Sequence, residues 1–177
     1  MHPATEKLVS DLQALSIEAR SCDFAQRGYH LEIDLEAGQV RTLAECMLKN
    51  DMYLVFVGGL HVQPATEVIY QFASFEHPCR VVARAAVDGN NAVPTISDIF
   101  QGANWHERET RDFFGVIFTG HPYLKPLILA EEDADLKPLL KSDADLKESG
   151  AVRWAPPEEP AAEKKSPNAD DKKTEEG

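Results

Sequence analysis

The sequence predicts an α+β fold, a two-layer sandwich in which helices cover one face of a mixed, mostly antiparallel sheet. Three observations predict it. Two segments have the three- and four-residue apolar spacing of amphipathic helices, and four segments have strand character. A third observation is their order, α-β-α-β-β-β, which places strands next to one another along the chain. The 177 residues fit one domain with a C-terminal extension.

The first two predicted helices span residues 3–20 and 39–49. The apolar face of the first consists of Leu8, Leu12, Leu15 and Ala19. The inward residues of the second are Val40, Leu43, Ala44, Met47 and Leu48.

The predicted strands begin with residues 29–35, which alternate strictly between apolar and polar. The apolar side of this strand consists of Tyr29, Leu31, Ile33 and Leu35. Residues 53–62 and 67–75 flank a hairpin loop, and residues 79–87 form a further strand. The sequence Asp88-Gly89-Asn90-Asn91 ends it with a turn.

A third helix is predicted over residues 104–115. Asn104 has the character of an N-cap, and Glu107 lies three residues on, where a capping-box carboxylate reaches back. Gly115 lies where a C′ glycine ends a helix. A short apolar segment, residues 116–118, follows.

The chain changes character after Leu129. Residues 131–155 form an acidic extension in which the sequence DADLK occurs twice, and residues 156–177 lack large apolar side chains. Such a tail has no apolar surface to offset its ordering entropy, so we predict that it is disordered. The predicted division is therefore a domain of residues 1–130, an extension of residues 131–155 and a tail of residues 156–177.

Composition and motifs exclude several classes of function. The net charge of −12 argues against nucleic acid and against direct adhesion to anionic lipid. The three cysteines form no CxxC pair, and neither GxGxxG nor GK[ST] occurs. His106-Glu107 begins like a zinc HExxH motif, but Thr110 occupies the final histidine position. We therefore expect no metal site, no cofactor site and no membrane-spanning segment on this chain.

The charged residues of the third helix favour an interface over catalysis. Glu107 and Glu109 are two residues apart, so they point about 200° away from each other on a helix. Glu107 with Arg111, and Arg108 with Asp112, have the spacing of stabilising helical pairs. The same three turns also carry large aromatic side chains, namely Trp105, Phe113 and Phe114. Clustered ions beside aromatic side chains are typical of a helix that packs at a buried boundary.

These residues resemble the signature of the 30 kDa subunit family of respiratory complex I, whose bacterial members are C subunits of NADH-quinone oxidoreductase. The matching positions are Glu107-Arg108-Glu109, Asp112, Phe113-Phe114, His121, Lys125 and Leu127-Ile128. The resemblance covers residues 93–129 by motif and residues 1–92 by element order. Downstream the chain departs from the family pattern, with Ala130 where proline is usual and Leu140 where arginine is usual.

The resemblance implies a non-catalytic structural subunit of the peripheral arm, on the cytoplasmic side of the cell inner membrane. It would brace the large 49 kDa-type subunit (the D subunit in bacteria) near the quinone site and contact the small iron–sulfur subunit. Iron–sulfur clusters, quinone and NADH with FMN, or a Ni–Fe centre, would belong to partner subunits. The implied interface residues are Trp105, Glu107, Arg108, Glu109, Asp112, Phe113, Phe114, Gly115, His121, Pro122 and Lys125. We expect Arg108→Ala to give a soluble subunit that fails to assemble.

Other functions stay open at this point. The same module resembles one in membrane-bound energy-converting [NiFe] hydrogenases, and in complex I-like enzymes that lack the NADH module. A free-standing enzyme that uses His106 or Glu109 is a hypothesis of another class, and activity of the isolated chain would support it. An unrelated α+β adaptor is the last alternative.

Overall fold

The computed structural model describes residues 2–152. The predictions for residues 153–177, including the tail, therefore lie outside the described residues. The helices and strands are α1 (Pro3–Ala14), β1 (Ala19–Ser21), α2 (Phe24–Arg27), β2 (Leu31–Glu36), α3 (Val40–Lys49), β3 (Met52–Leu60), β4 (Glu67–Ser74), β5 (Arg80–Ala86), β6 (Ala92–Pro94), α4 (Ala103–Phe114) and β7 (Ile117–Thr119). Short 3-10 helices occur at Ala37–Gln39, Glu131–Asp133, Asp143–Asp145 and Ser149–Val152.

Five strands form the main sheet in the order β1-β2-β5-β4-β3. The β2–β5 pair is parallel, and the other three pairs are antiparallel. This confirms the predicted α+β fold with a mixed, mostly antiparallel sheet. Strands β6 and β7 form a separate parallel pair, and α4 connects them. Strand β3 lies at one edge of the main sheet, and α4 packs along it.

The core lies between the sheet and the apolar sides of α1 and α3. Its fully buried side chains include Leu8 and Leu12 of α1, Leu43 and Met47 of α3, and Leu31, Ile33, Val68, Tyr70, Phe72 and Val81 of the sheet. These strand residues alternate with residues on the opposite face, because successive side chains of a strand point to opposite sides. The predicted inward positions of α3 are confirmed except for Leu48, which is 52% exposed.

Helix α1 is shorter than predicted. It ends at Ala14, and Ser16 then adopts a φ of 58°, which breaks the helix. The N–H of Ile17 donates to the carbonyl of Leu12, and the chain turns into β1 beside β2. Leu15 is consequently 43% exposed and Ala19 lies in a strand, so both predicted positions on the helical face are wrong.

The opposite face of the main sheet carries buried charge that strict alternation does not predict. Glu32 of β2 is only 4% exposed, and its carboxylate lies 3.6 Å from both Arg20 and Arg84. Arg84 also lies 3.6 Å from Glu67 of β4. Burial of these acids is accommodated because each faces a guanidinium group.

The extension returns to the sheet. The N–H of Gln63, in the β3–β4 loop, donates to the carbonyl of Lys147 at 3.0 Å, and the N–H of Ser149 donates to the carbonyl of Gln63 at 3.0 Å. The hydroxyl of Ser149 donates to Glu67. Within residues 2–152, none of the helices has both the length and the apolar character needed to cross a bilayer.

Candidate functional site

Six of the signature positions, from Glu107 to Phe114, lie on α4, and the others lie in the chain that follows β7. Helix α4 packs closely against β3. A Cβ atom on Gly59 would lie 2.4 Å from the ring of Phe114, so only glycine allows this packing. Gly115 ends the helix with a φ of 73°, as predicted. The predicted capping box is wrong. The helix begins at Ala103 after Gly102 without a side-chain cap, so Asn104 lies inside the helix, and the Glu107 carboxylate binds Thr95 and Ile96 instead of reaching back to it.

Glu107 is fully buried and connects α4 to the segment after β6. Its Oε1 accepts the N–H of Ile96 at 2.8 Å, and its Oε2 accepts the hydroxyl of Thr95. Burial raises the pKa of this carboxyl to about 7, although the bonds from Thr95 and Ile96 oppose the shift. Glu107 thus titrates near neutrality inside the protein.

The side chain of His121 is buried beside Glu107, with its Nε2 3.9 Å from Oε2 of Glu107. The same nitrogen lies 3.2 Å from the carbonyl of Asn104, and Nδ1 accepts the N–H of Tyr123 at 3.0 Å. Burial lowers the pKa of His121. An imidazole that accepts at Nδ1 carries its proton on Nε2, so the contact with Glu107 involves a neutral ring.

Asp112 is also fully buried, but its surroundings favour the charged form. Its Oδ2 accepts three consecutive backbone N–H groups, those of Leu127, Ile128 and Leu129, at 2.8, 2.9 and 3.2 Å. Burial acts to raise the pKa of Asp112, but these three hydrogen bonds and one from Arg111 outweigh it, and the net shift is downward. Asp112 therefore fixes the chain where it passes the helix.

Arg108 holds the preceding part of the same loop. Its Nε donates to the carbonyl of Lys125 at 2.9 Å, and its Nη2 donates to the carbonyl of Pro126 at 2.7 Å. The guanidinium carbon lies 5.1 Å from the centre of the Tyr123 ring. Of residues 2–152, Arg111 alone forms an ion pair with Asp112, at 3.2 Å, so the predicted helical pairs Glu107–Arg111 and Arg108–Asp112 do not form.

The outer side of α4 is aromatic. Trp105 is 68% exposed and Phe56 of β3 is 41% exposed. A groove of about 260 Å³ runs between α4 and β3. Its lining includes Phe56, Gly59, Glu109, Phe113, Phe114 and Leu139. Trp105, Glu109 and Phe113 are therefore accessible from outside, unlike Glu107 and Asp112.

The predicted site residues thus divide into two groups. Residues of the first group are held within their own chain: four bind other parts of it, Phe114 packs on Gly59 and Gly115 ends the helix. The four are Glu107, Arg108, Asp112 and His121. The second group is accessible and consists of Trp105, Glu109, Phe113, Pro122 and Lys125. Their role at a subunit interface stays a prediction. Sequence reasoning did not identify Thr95 or the N–H groups of residues 96 and 127–129, because a backbone donor has no sequence signal. Within the described range there is no group of three or more His, Cys, Asp or Glu side chains that would hold a metal ion.

Comparison with known sequences gives a consistent set of relatives. The model of the family described as "Respiratory-chain NADH dehydrogenase, 30 Kd subunit" matches residues 33–149. The C subunit of NADH-quinone oxidoreductase from Roseiflexus sp. strain RS-1 is 46% identical over 71 residues, which cover 40% of this chain and 41% of that protein. The C/D subunit of the same enzyme from Nitrosospira multiformis is 38% identical over 108 residues, covering 59% and 16%. The match to the Roseiflexus protein thus spans about two fifths of its length.

Two solved structures share the fold. The trypsin-resistant fragment 1–134 of Nqo5 has a TM-score of 0.55 and 23% identity, and the match covers 68% of this chain and 99% of the fragment. A chain of the membrane-bound sulfane sulfur reductase, an archaeal respiratory membrane complex, has a TM-score of 0.67 and 20% identity. That match covers 99% of both chains.

Proposed function

Because the chain belongs to the 30 kDa subunit family of the respiratory-chain NADH dehydrogenase, we propose that it is a structural subunit without an active site of its own. It braces the large 49 kDa-type subunit near the quinone site, in the peripheral arm of a complex I-type enzyme on the cytoplasmic side of the membrane. The small iron–sulfur subunit is a further neighbour. The redox groups reside in the partners, and electron transfer there is coupled to proton translocation.

The exposed side chain of Trp105 carries this proposal. It is 68% exposed on a helix whose charged residues Glu107, Arg108 and Asp112 already bind their own chain. Tryptophan is enriched among the few residues that dominate binding at protein interfaces. The groove between α4 and β3 is lined mostly by apolar residues, so its chemistry suits an apolar side chain of a partner. In this proposal the charged residues of the signature hold α4 and its neighbouring loops in position, and the exposed aromatic side of α4 contacts the partner.

One relative supports the identity of the partner. The Nitrosospira protein is named C/D, so one polypeptide carries the designations of both this subunit type and the large subunit. Covalent linkage of two subunits is compatible with a direct contact between them. We therefore assign the large subunit, rather than a membrane subunit, to the Trp105 surface.

Co-purification with the large subunit tests the proposal. Trp105→Ala is expected to weaken binding about 30-fold, since truncation of a central interface residue costs about 2 kcal/mol or more. Phe24→Ala is the matched control, because Phe24 is also exposed, at 47%, but belongs to α2 near the opposite edge of the sheet. Equal binding by wild type and Trp105→Ala would contradict the proposal.

A second candidate is the equivalent subunit of a complex I-like membrane enzyme without the NADH module, or of an energy-converting [NiFe] hydrogenase. The fold likeness to the archaeal sulfane sulfur reductase chain over 99% of both chains favours it. Mass spectrometry of the co-purified subunits separates the candidates. A large subunit with paired CxxC motifs indicates a hydrogenase, and subunits that bind NADH and FMN indicate an NADH dehydrogenase.

A further inference from the structure

Glu107 and His121 form a pair of titratable groups whose side chains are both fully buried. They come from different elements, α4 and the loop after β7, and Oε2 of Glu107 lies 3.9 Å from Nε2 of His121. Each also holds backbone that belongs to neither helix nor strand. Glu107 binds the N–H of Ile96, and His121 binds the N–H of Tyr123.

The hydrogen bonds of His121 determine which of the two groups binds a proton. Protonation at Nδ1 would place a second hydrogen against the N–H of Tyr123, so a charged ring is incompatible with the loop as it lies. A protonated Glu107 keeps its bonds, because a carboxylic acid still accepts the N–H of Ile96 and shares one hydrogen with the hydroxyl of Thr95. The proton therefore enters at Glu107 while His121 stays neutral.

The other elements around Glu107 contribute opposing effects. Asp98, in the β6–α4 connection, raises the pKa of Glu107, and Arg41 of α3 lowers it. These two are paired through two hydrogen bonds of 2.8 Å, so their effects largely cancel. Tyr70 of β4 presents a buried hydroxyl that has no hydrogen-bond partner within residues 2–152. Arg108 lies near His121 and lowers the pKa of its ring.

We propose that Glu107 and His121 form a buried proton-binding site that couples the protonation of one carboxyl group to the seating of loop residues 120–126 against α4. Loss of the proton leaves a buried carboxylate that competes with the carbonyl of Asn104 for the Nε2 hydrogen of His121. Rotation of the ring toward the carboxylate weakens the Tyr123 bond. Because Tyr123 also contacts Arg108, the loop becomes looser in the deprotonated state.

Proton–nitrogen NMR of the full-length chain between pH 5.5 and 8.5 tests this inference. The amides of Ile96 and Tyr123 are expected to titrate with one common midpoint near 7, and the Glu107 side-chain carboxyl carbon should share it. Glu109→Gln is the matched control, since Glu109 lies two residues away and half-exposed, and it should leave the midpoint unchanged. Glu107→Gln should abolish both amide titrations.

Measurements on the wild-type chain alone can overturn the inference, so it does not depend on the folding of a variant. Different midpoints for Ile96 and Tyr123 would show that the two groups act independently. A carboxyl carbon that does not titrate in this range would show that Glu107 holds no exchangeable proton there. An asparagine side chain offers an acceptor for the Tyr123 N–H but lacks the ring nitrogen, so His121→Asn should preserve the Ile96 titration and remove that of Tyr123.

Discussion

At the residue scale, α4 carries two buried acids five positions apart, Glu107 and Asp112, and their pKa values shift in opposite directions. Glu107 has two hydrogen-bond donors, and burial dominates, which raises its pKa to about 7. Asp112 has three backbone donors on one oxygen, and its pKa is lowered. Depth of burial and the number of donors together separate the two acids, because Glu107 lies deeper in the protein than Asp112 and accepts fewer hydrogen bonds.

The contribution of Glu107 to stability should therefore fall as pH rises from about 4.5 to about 7 and stay level above that. The folded pKa of Glu107 is raised from 4.5 to about 7, so its stabilising contribution is complete below about 4.5 and is lost as pH rises through about 7. A shift of this size corresponds to about 3 kcal/mol. Urea unfolding at pH 5.5 and 8.5 should show Glu107→Gln gaining stability over wild type at the higher pH.

The exposed neighbour provides the comparison for this measurement. Glu109→Gln should follow the wild-type dependence on pH, because its carboxyl is half-exposed. If Glu107→Gln and wild type lose the same stability between the two pH values, the charged form of Glu107 is not the cause.

At the scale of elements, side chains of α4 form hydrogen bonds with two segments that belong to neither helix nor strand. Glu107 binds residues 95–96, while Arg108 and Asp112 bind residues 125–129. Arg108→Ala should loosen the second segment, because two hydrogen bonds from a charged donor are lost and such bonds contribute about 1.5–3 kcal/mol. Hydrogen exchange of the amides of residues 127–129 should accelerate about 10- to 100-fold.

Two further variants sharpen this prediction. Arg108→Lys should behave like Arg108→Ala, since an ammonium group is a point charge and does not span two carbonyls as a guanidinium does. Glu109→Ala should leave the exchange unchanged. Unaltered exchange at residues 127–129 in Arg108→Ala would show that Asp112 alone holds this segment.

The length of an element decides whether the sequence predicts it. Helix α3 and strands β2 to β5 were predictable, because each is long enough to display its apolar period. Strands β1 and β6 have three residues each and show no period. Helix α2 has only four residues, too few to show an apolar period, and its caps Asp23 and Gly28 are its only sequence signal. At the site, Gly115 was predictable because glycine commonly occupies the position just after a helix. The partners of Glu107 and Asp112 are mostly backbone groups, which every sequence contains.

At the scale of the whole molecule, the extension after Leu129 contacts the domain at several separated points. The N–H of Leu139 donates to the carbonyl of Phe113, the N–H of Lys141 donates to Nδ1 of His61, and residues 147–149 pair with Gln63. Truncation after Leu129 should therefore lower Tm by about 5–10 °C, given about 1 kcal/mol for each of at least three lost bonds. Thermal unfolding followed by circular dichroism measures this.

Truncation after Val152 is the control, because it retains all of these bonds. It should change Tm by no more than about 2 °C. An unchanged Tm after truncation at Leu129 would instead support a domain that is complete at residue 130.

The three N–H groups that meet Asp112 also have a consequence for polypeptides that continue past this point. Residues 127–129 are held to a helix inside the domain, so the chain leaves from a fixed position and in a fixed direction. Whatever follows, a returning extension or a fused second protein, therefore starts from the same place beside α4. Asp112 thereby sets the exit point of the chain from the domain.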